Sequence, residues 1–268
     1  MSKNWPVLLF KKSVLKQNKF KALTAYLGKT EGLTCLDIGS DNGVISLLLR
    51  QRGGYWKSAD LDEKTVECIR SLVKDDVFQI DGRHTPFKDN EFDRVLIVDF
   101  LEHIHTDQEF IDELYRIMKS GGELIINVPH VKNSFLRKFR LFMGQTDEKH
   151  GHVRPGYTVQ NLQNLLGKNF TWIEHRTYSK FFSEFVDTLM TWTMGILKKG
   201  ENASQKGMVI EAKDFSKNKK MFRIYTLIYP FLWFLGKCDG LLFRSSGYML
   251  IARAKINKEE VSRNEKSI

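Results

Sequence analysis

Apolar and polar positions follow two rhythms along the first half of this chain. Short apolar runs at residues 33–38, 55–60, 77–81, 92–98 and 123–128 predict buried strands. Between them, residues 44–52, 63–72 and 107–118 space their apolar positions three and four apart, as an amphipathic helix does. Gly121 and Gly122 break the last of these helices. Ahead of the first strand, Ser13 predicts the N-cap of a helix ending near Leu27, with Phe20, Leu23 and Leu27 on one face and Gly28 as C-cap. Strands alternating with helices at this spacing predict an α/β fold with a doubly wound, mostly parallel sheet.

After Pro129 the rhythm loosens. Residues 133–143 and 158–166 predict helices, and 171–178 and 247–255 predict strands, which brings the sheet to seven. Between those last strands lie two apolar aromatic stretches, 181–197 and 221–235, joined by a polar piece at 198–218 that reads as a mobile loop. The organisation expected is a basic helix at 1–30, one domain at 31–255 with a helical insertion at about 180–245, and a disordered tail at 256–268.

Composition changes this picture little. The chain has 268 residues, 42% hydrophobic and 12% aromatic, which is ample for a core. Its charge says more. The net +10 is concentrated at the front, where residues 1–30 hold seven lysines and no acid, leaving 35 Lys+Arg against 32 Asp+Glu elsewhere. The surplus therefore predicts a surface contact, with anionic lipid or a partner, rather than a nucleic-acid groove. Cys35, Cys68 and Cys238 show neither metal spacing nor a disulfide framework, and the N-terminal apolar run is cut by Pro6 and ended by Lys11 and Lys12. The expectation is a cytoplasmic protein, peripheral on the inner face of a membrane if the lipid contact is real.

The chemistry begins at Asp37-Ile38-Gly39-Ser40-Asp41-Asn42-Gly43, between the first strand and first helix. Glycines there let backbone approach a ligand closely. The loop is neither a Walker loop nor G-x-G-x-x-G. Acids recur at Asp60 and Asp81, each at the end of the next strand, and Gly82 follows the second. An acid at such an end can accept the hydroxyl hydrogens of a ribose, and ligands of open α/β sheets lie beyond these ends. One such aspartate alone would ordinarily be a turn or cap residue.

The ordered set resembles a known family, the class I S-adenosylmethionine-dependent methyltransferases, and within it a subgroup with small-molecule and lipid-like substrates. The likeness rests on D-x-G-x-x-x-G at 37–43, on Asp81-Gly82-x-x-x-Pro86-Phe87-x-Asp89-x-x-Phe92-Asp93, on Leu101-Glu102-His103-Ile104 and on Leu114-x-Arg116-Ile117-Met118-Lys119-Ser120-Gly121-Gly122. It covers about residues 33–130 and implies a Rossmann-like seven-stranded fold that uses S-adenosylmethionine. It further implies that Asp37, Gly39, Ser40 and Gly43 cradle the methionine part, with Asp99 counted among the cofactor residues. Asp60 would hold the ribose, Leu61 would pack on adenine, and Asp81 with Gly82 would receive its amino edge. Ser40 and Asp41 depart from the Cys or Gly and the Gly usual there.

The acceptor side should follow the fourth and fifth strands, where His103 and His130 are candidate bases, with His152 added from a later His-Gly-His cluster. That cluster, His150 to Tyr157 with Arg154, could grip a phosphate, carboxylate or sugar. Asp99-x-x-Glu102-His103 is similar to the E-x-x-E-H of ubiquinone-pathway O-methyltransferases, where acids and a His hold a divalent metal. The competing reading is a hydrogen-bonded loop framework, and no metal ligand is assigned. The activity expected is O-methylation of a small, glycan-like or lipid-linked acceptor. The alternatives are a cofactor-binding scaffold without turnover, and methylation of RNA.

Overall fold

The computed structural model describes residues 5–132, 134–142, 151–197 and 219–258. The expected polar loop at 198–218, His150 and nearly all of the expected tail lie outside them. Helices α1 (Trp5–Lys11) and α2 (Val14–Leu27) precede β1 (Thr34–Ile38), α3 (Val44–Arg50), β2 (Tyr55–Asp60), α4 (Glu63–Val73), β3 (Val77–Gln79) and β4 (Phe92–Val98). Then come α5 (Asp107–Ile117), β5 (Met118–Pro129), α6 (Phe135–Phe142), α7 (Val159–Leu166), β6 (Phe170–Tyr178), α8 (Phe181–Leu197), α9 (Lys219–Lys237) and β7 (Met249–Ile256). Helix α1 was not anticipated. Gly121-Gly122 does not end the helix: α5 stops at Ile117, and both glycines lie inside β5, which begins at Met118.

One sheet orders its seven strands β3-β2-β1-β4-β5-β7-β6. All pairs are parallel except those of β7, which runs antiparallel to both β5 and β6. Burial on both faces explains the continuous apolar runs. In β4, Val95 and Ile97 enter a core with Phe110 and Leu114 of α5 and Leu162 of α7. Leu96 and Val98 enter a second core with Leu23 and Leu27 of α2 and Leu49 of α3. The basic N-terminal helix is thus one of the layers that close the sheet, capped by Ser13, whose hydroxyl accepts from the Lys16 amide at 3.3 Å. Order reverses between β1 and β4, and the ends of these strands open the crevice where such sheets take ligands.

The two aromatic stretches form α8 and α9, which pack on each other. Asp239 caps α8 by accepting from the Lys180, Phe182 and Ser183 amides. Glu184, buried inside α8, pairs with Lys132 at 3.0 Å. Helix α9 buries Tyr229, Leu232 and Gly236, and Gly236 lies so close to α2 that an added methyl would stand 2.5 Å from Val14. Among the described residues no helix is long and apolar enough to cross a membrane.

Candidate active site

The loop after β1 is built by sterics. Gly39 has φ +83°, and a methyl placed there would lie 2.3 Å from the Val98 carbonyl oxygen at the end of β4. Gly43 has φ +77°, and its methyl would lie 2.7 Å from the Cα of Ile69 in α4. The backbone is wedged between two elements and only glycine fits. Asp37 locks the loop from below. It is fully buried and accepts from the Ser40, Ser46 and Ser58 hydroxyls, the latter two at 2.6 and 2.7 Å, with Arg50 at 3.6 Å. Its carboxylate is therefore occupied by the protein, and so is the Ser40 hydroxyl. Asp41, at φ 54°, pairs instead with Lys16 of α2 at 2.9 Å.

Asp60 ends β2 half-buried, one oxygen accepting from the Leu61 amide at 2.8 Å. Burial pushes its carboxyl up to about 7, and the Leu61 and Asp62 amides offset only part of that. Asp81 is exposed and accepts from the His84 and Arg83 amides, which hold its pKa below the usual carboxylate range. A methyl on Gly82, at φ +78°, would meet Ile104 at 2.7 Å and Leu61 at 3.3 Å. Leu61, which follows Asp60, and Ile104 thus pack closely on Gly82. Ile104 was legible in the sequence only as the last position of Leu101-Glu102-His103-Ile104, with no role, because only the packing of its loop on Gly82 brings it there.

Beyond β4, Asp99 takes φ 48° and accepts from Asn127 of β5 at 2.6 Å. Its other oxygen receives the Lys19 ammonium from α2. Burial alone would lower the Lys19 pKa, but the Asp99 carboxylate outweighs it and the value is raised. Lys16 and Lys19 therefore face inward, onto Asp41 and Asp99 at the mouth of the crevice. That corrects the reading of all the N-terminal lysines as an outward-facing surface. Glu102 is fully buried, and burial, then the Asp99 charge, pushes its carboxyl well above the ordinary range.

The three candidate bases do not converge. His103 and His152 meet edge to face, 4.8 Å between ring centroids, and His103 Nδ1 bonds the Gly151 carbonyl at 3.0 Å. His130 instead bonds Gly247 at 3.0 Å through Nδ1, tying the end of β5 to the approach to β7. The anion grip expected of Arg154 and Tyr157 is not available. Arg154 is bound to Asp107 and the Ile104 carbonyl, and the Tyr157 hydroxyl donates to Asp107 at 2.8 Å.

A seven-stranded sheet of this order, with a glycine loop after β1, an acid at the end of β2 and another just after β3, defines a Rossmann-like fold. Residues 36–126 match the sequence model of a family described as a methyltransferase domain. The chain is 26% identical over 167 residues to the ubiquinone/menaquinone biosynthesis C-methyltransferase UbiE of Ruegeria sp. (strain TM1040), covering 54% of this chain and 64% of that one. The chain thus spans less than two thirds of that curated relative. A structure of a SAM-dependent methyltransferase from Archaeoglobus fulgidus superposes with a TM-score of 0.55 at 16% identity, covering 94% of this chain and 99% of that one. The [4+2]-cyclase SpnF superposes at 0.58 and 17% identity, covering 91% and 83%. Residues 36–126 are thus similar to a methyltransferase domain, in a chain that shares its fold with solved S-adenosylmethionine-dependent methyltransferases.

Proposed function

We propose that the chain methylates a small, lipid-linked acceptor from S-adenosylmethionine at an anionic membrane surface. The observation that carries the cofactor part is the wedged loop at Gly39 and Gly43 after β1, with Asp60 at the end of the neighbouring strand and Leu61 and Ile104 packed on Gly82. These residues fit the cofactor. Backbone at 39–43 would lie along the methionine part, Asp60 would accept both ribose hydroxyls, and Leu61 and Ile104 would pack on adenine, with Asp81 beside it. When bound, S-adenosylmethionine supplies an electrophilic methyl carbon. The protein's share is to align the acceptor in line with it and to take up its proton. Asp37 acts through the loop that it holds. His103 is positioned for proton uptake, since its Nδ1–H is spent on Gly151 and leaves Nε2 with its lone pair.

The lipid part rests on the cap. Helix α9 exposes Ile224, Leu227, Ile228, Phe231 and Phe234, one helical stripe, opposite the stripe that it buries. Helix α8 exposes Phe181, Phe185 and Leu189, and α6 exposes Phe135, Phe139 and Phe142. Phe243 is 87% exposed, next to the exposed Arg244, and Lys237 lies over the Trp233 ring at 5.0 Å. Helices apolar on their outward face and edged by basic groups suit insertion into a headgroup layer. A ring carbon is a second candidate methyl acceptor besides oxygen, favoured by the relative named for C-methylation in quinone biosynthesis.

Release of S-adenosylhomocysteine with hydroxylated quinone and polyprenyl acceptors in vesicles tests the activity. Cofactor binding without turnover on any of them would favour the scaffold reading, and the cyclase neighbour illustrates that the fold alone does not fix the reaction. For the surface, Leu227→Glu with Phe231→Glu should cut co-sedimentation with phosphatidylglycerol vesicles about tenfold or more. Wild-type protein left in the supernatant at low salt would rule the surface out.

A further inference from the structure

A cleft of about 310 Å³ lies between the two N-terminal helices and α9, away from the crevice at the strand ends. The Phe10, Phe20 and Trp233 rings form its apolar walls, and Asn18, Lys21 and Lys237 are among its polar groups. We propose that it binds one anionic phospholipid, with an acyl chain between the rings and the phosphate at Lys21 and Lys237. Occupation of the cleft by a single lipid is independent of methyl transfer, and only its supply from a bilayer rests on the surface reading above.

Charge is the leading observation. Of the three lysines on α2, Lys16 and Lys19 are spent on Asp41 and Asp99. Lys21 pairs with no acid among the described residues, and neither does Lys237, which stands over the Trp233 ring. No Asp or Glu among the described residues lines the cleft. Two ammonium groups at one apolar opening, with no carboxylate beside them, favour an anion there. An inorganic anion would leave the aromatic walls unused and a neutral chain would leave the lysines unused, whereas an anionic lipid engages both.

The cleft is formed before any ligand arrives. Gln17 Nε2 donates to the Lys11 carbonyl at 2.9 Å and to the Tyr229 hydroxyl at 2.8 Å, which pins α1, α2 and α9 together. Phe10 and Phe20 meet edge to face, 5.9 Å between ring centroids. Gly236 also lines the cleft, and any side chain there would run into Val14. The volume lies at the lower end of the about 300–1,000 Å³ of small-molecule sites, the size for one chain rather than two.

Helix α2 keeps this site apart from the cofactor side. Val14, Gln17, Asn18 and Lys21 recur three and four apart, one stripe turned toward α9 and opposite Lys16 and Lys19. Trp233 and Lys237 belong to α9, beside its exposed Phe234, so a lipid seated here would hold α9 against the headgroup layer.

The test titrates the full chain by calorimetry with lysophosphatidylglycerol below its critical micelle concentration, with lysophosphatidylcholine and inorganic phosphate as comparators. One equivalent of lysophosphatidylglycerol should bind at micromolar affinity, about tenfold or more tighter than either comparator. Lys21→Glu with Lys237→Glu should weaken it about 30-fold or more, at about fivefold for each lysine lost beside an anionic headgroup. Trp233→Ala should weaken it about tenfold through lost apolar contact. All three side chains are exposed, so both variants should keep the wild-type Tm. No saturable binding to the wild type, equal binding of the two lysolipids, or inorganic phosphate bound as tightly would overturn the proposal. Unweakened binding by either folded variant would overturn it too. Saturable lysolipid binding by a protein that stays in the supernatant of phosphatidylglycerol vesicles would count against the surface reading alone.

Discussion

If Asp60 holds the cofactor ribose as proposed, cofactor affinity becomes a function of pH. Burial pushes its carboxyl up to about 7, so near neutrality a large share of the free protein carries it protonated. A ribose donating two hydroxyl hydrogens needs the carboxylate, so binding must expel a proton. The ionised fraction is about 90% at pH 8, half at pH 7 and about 3% at pH 5.5, which raises the apparent Kd about 30-fold from pH 8 to 5.5. Stability runs the opposite way. The folded state holds this proton from about pH 4 to about 7 while the unfolded state does not, so the group's contribution falls as pH rises through that window. Asp60→Asn removes that cost and should raise the Tm of the free protein at pH 8. It should also weaken S-adenosylmethionine at least about 100-fold there, since hydrogen bonds to a charged acceptor are worth about 1.5–3 kcal/mol each. Calorimetry in two buffers of different protonation enthalpy, from pH 5.5 to 8.5, reads both Kd and released protons. A flat wild-type Kd with no proton release would refute the argument.

Three further outcomes follow from particular contacts. Gly43→Ala puts a methyl 2.7 Å from Ile69 Cα and should lose cofactor affinity tenfold or more, measured by calorimetry. Gly28→Ala, at φ +69° and ψ −150° with nothing within 4 Å, should cost about 1–3 kcal/mol of stability through backbone strain and leave affinity unchanged. Lys19→Met strips the partner from Asp99 beside the buried Glu102 and should cost about 2 kcal/mol, a Tm drop of roughly 4–8 °C by scanning fluorimetry. An unchanged Tm would mean that the pair contributes nothing.

What the sequence determined by itself was local. The strand–helix alternation is legible because burial on both faces writes continuous apolar runs, and helices write their 3.6-residue period. Gly39, Gly43, Asp60 and Asp81 are legible because each lies within a few positions of the end of a strand, where a turn needs such residues. Tertiary structure decided the rest, since the partners lie far apart in the chain. Lys19 reaches Asp99 across 80 positions and Lys16 reaches Asp41 across 25, which turns a basic surface helix into part of the crevice wall. Asp37 looks like a cofactor residue from its motif, yet three serine hydroxyls converge on it only when β1, β2 and α3 pack. His103 and His152 meet while His130 turns away, because a backbone bond from Val153 to Glu102 sets where the second histidine falls. Spacing specifies which side chains share a loop, and only packing specifies which carboxylates are already spent and which, like that of Glu102, are buried without a donor.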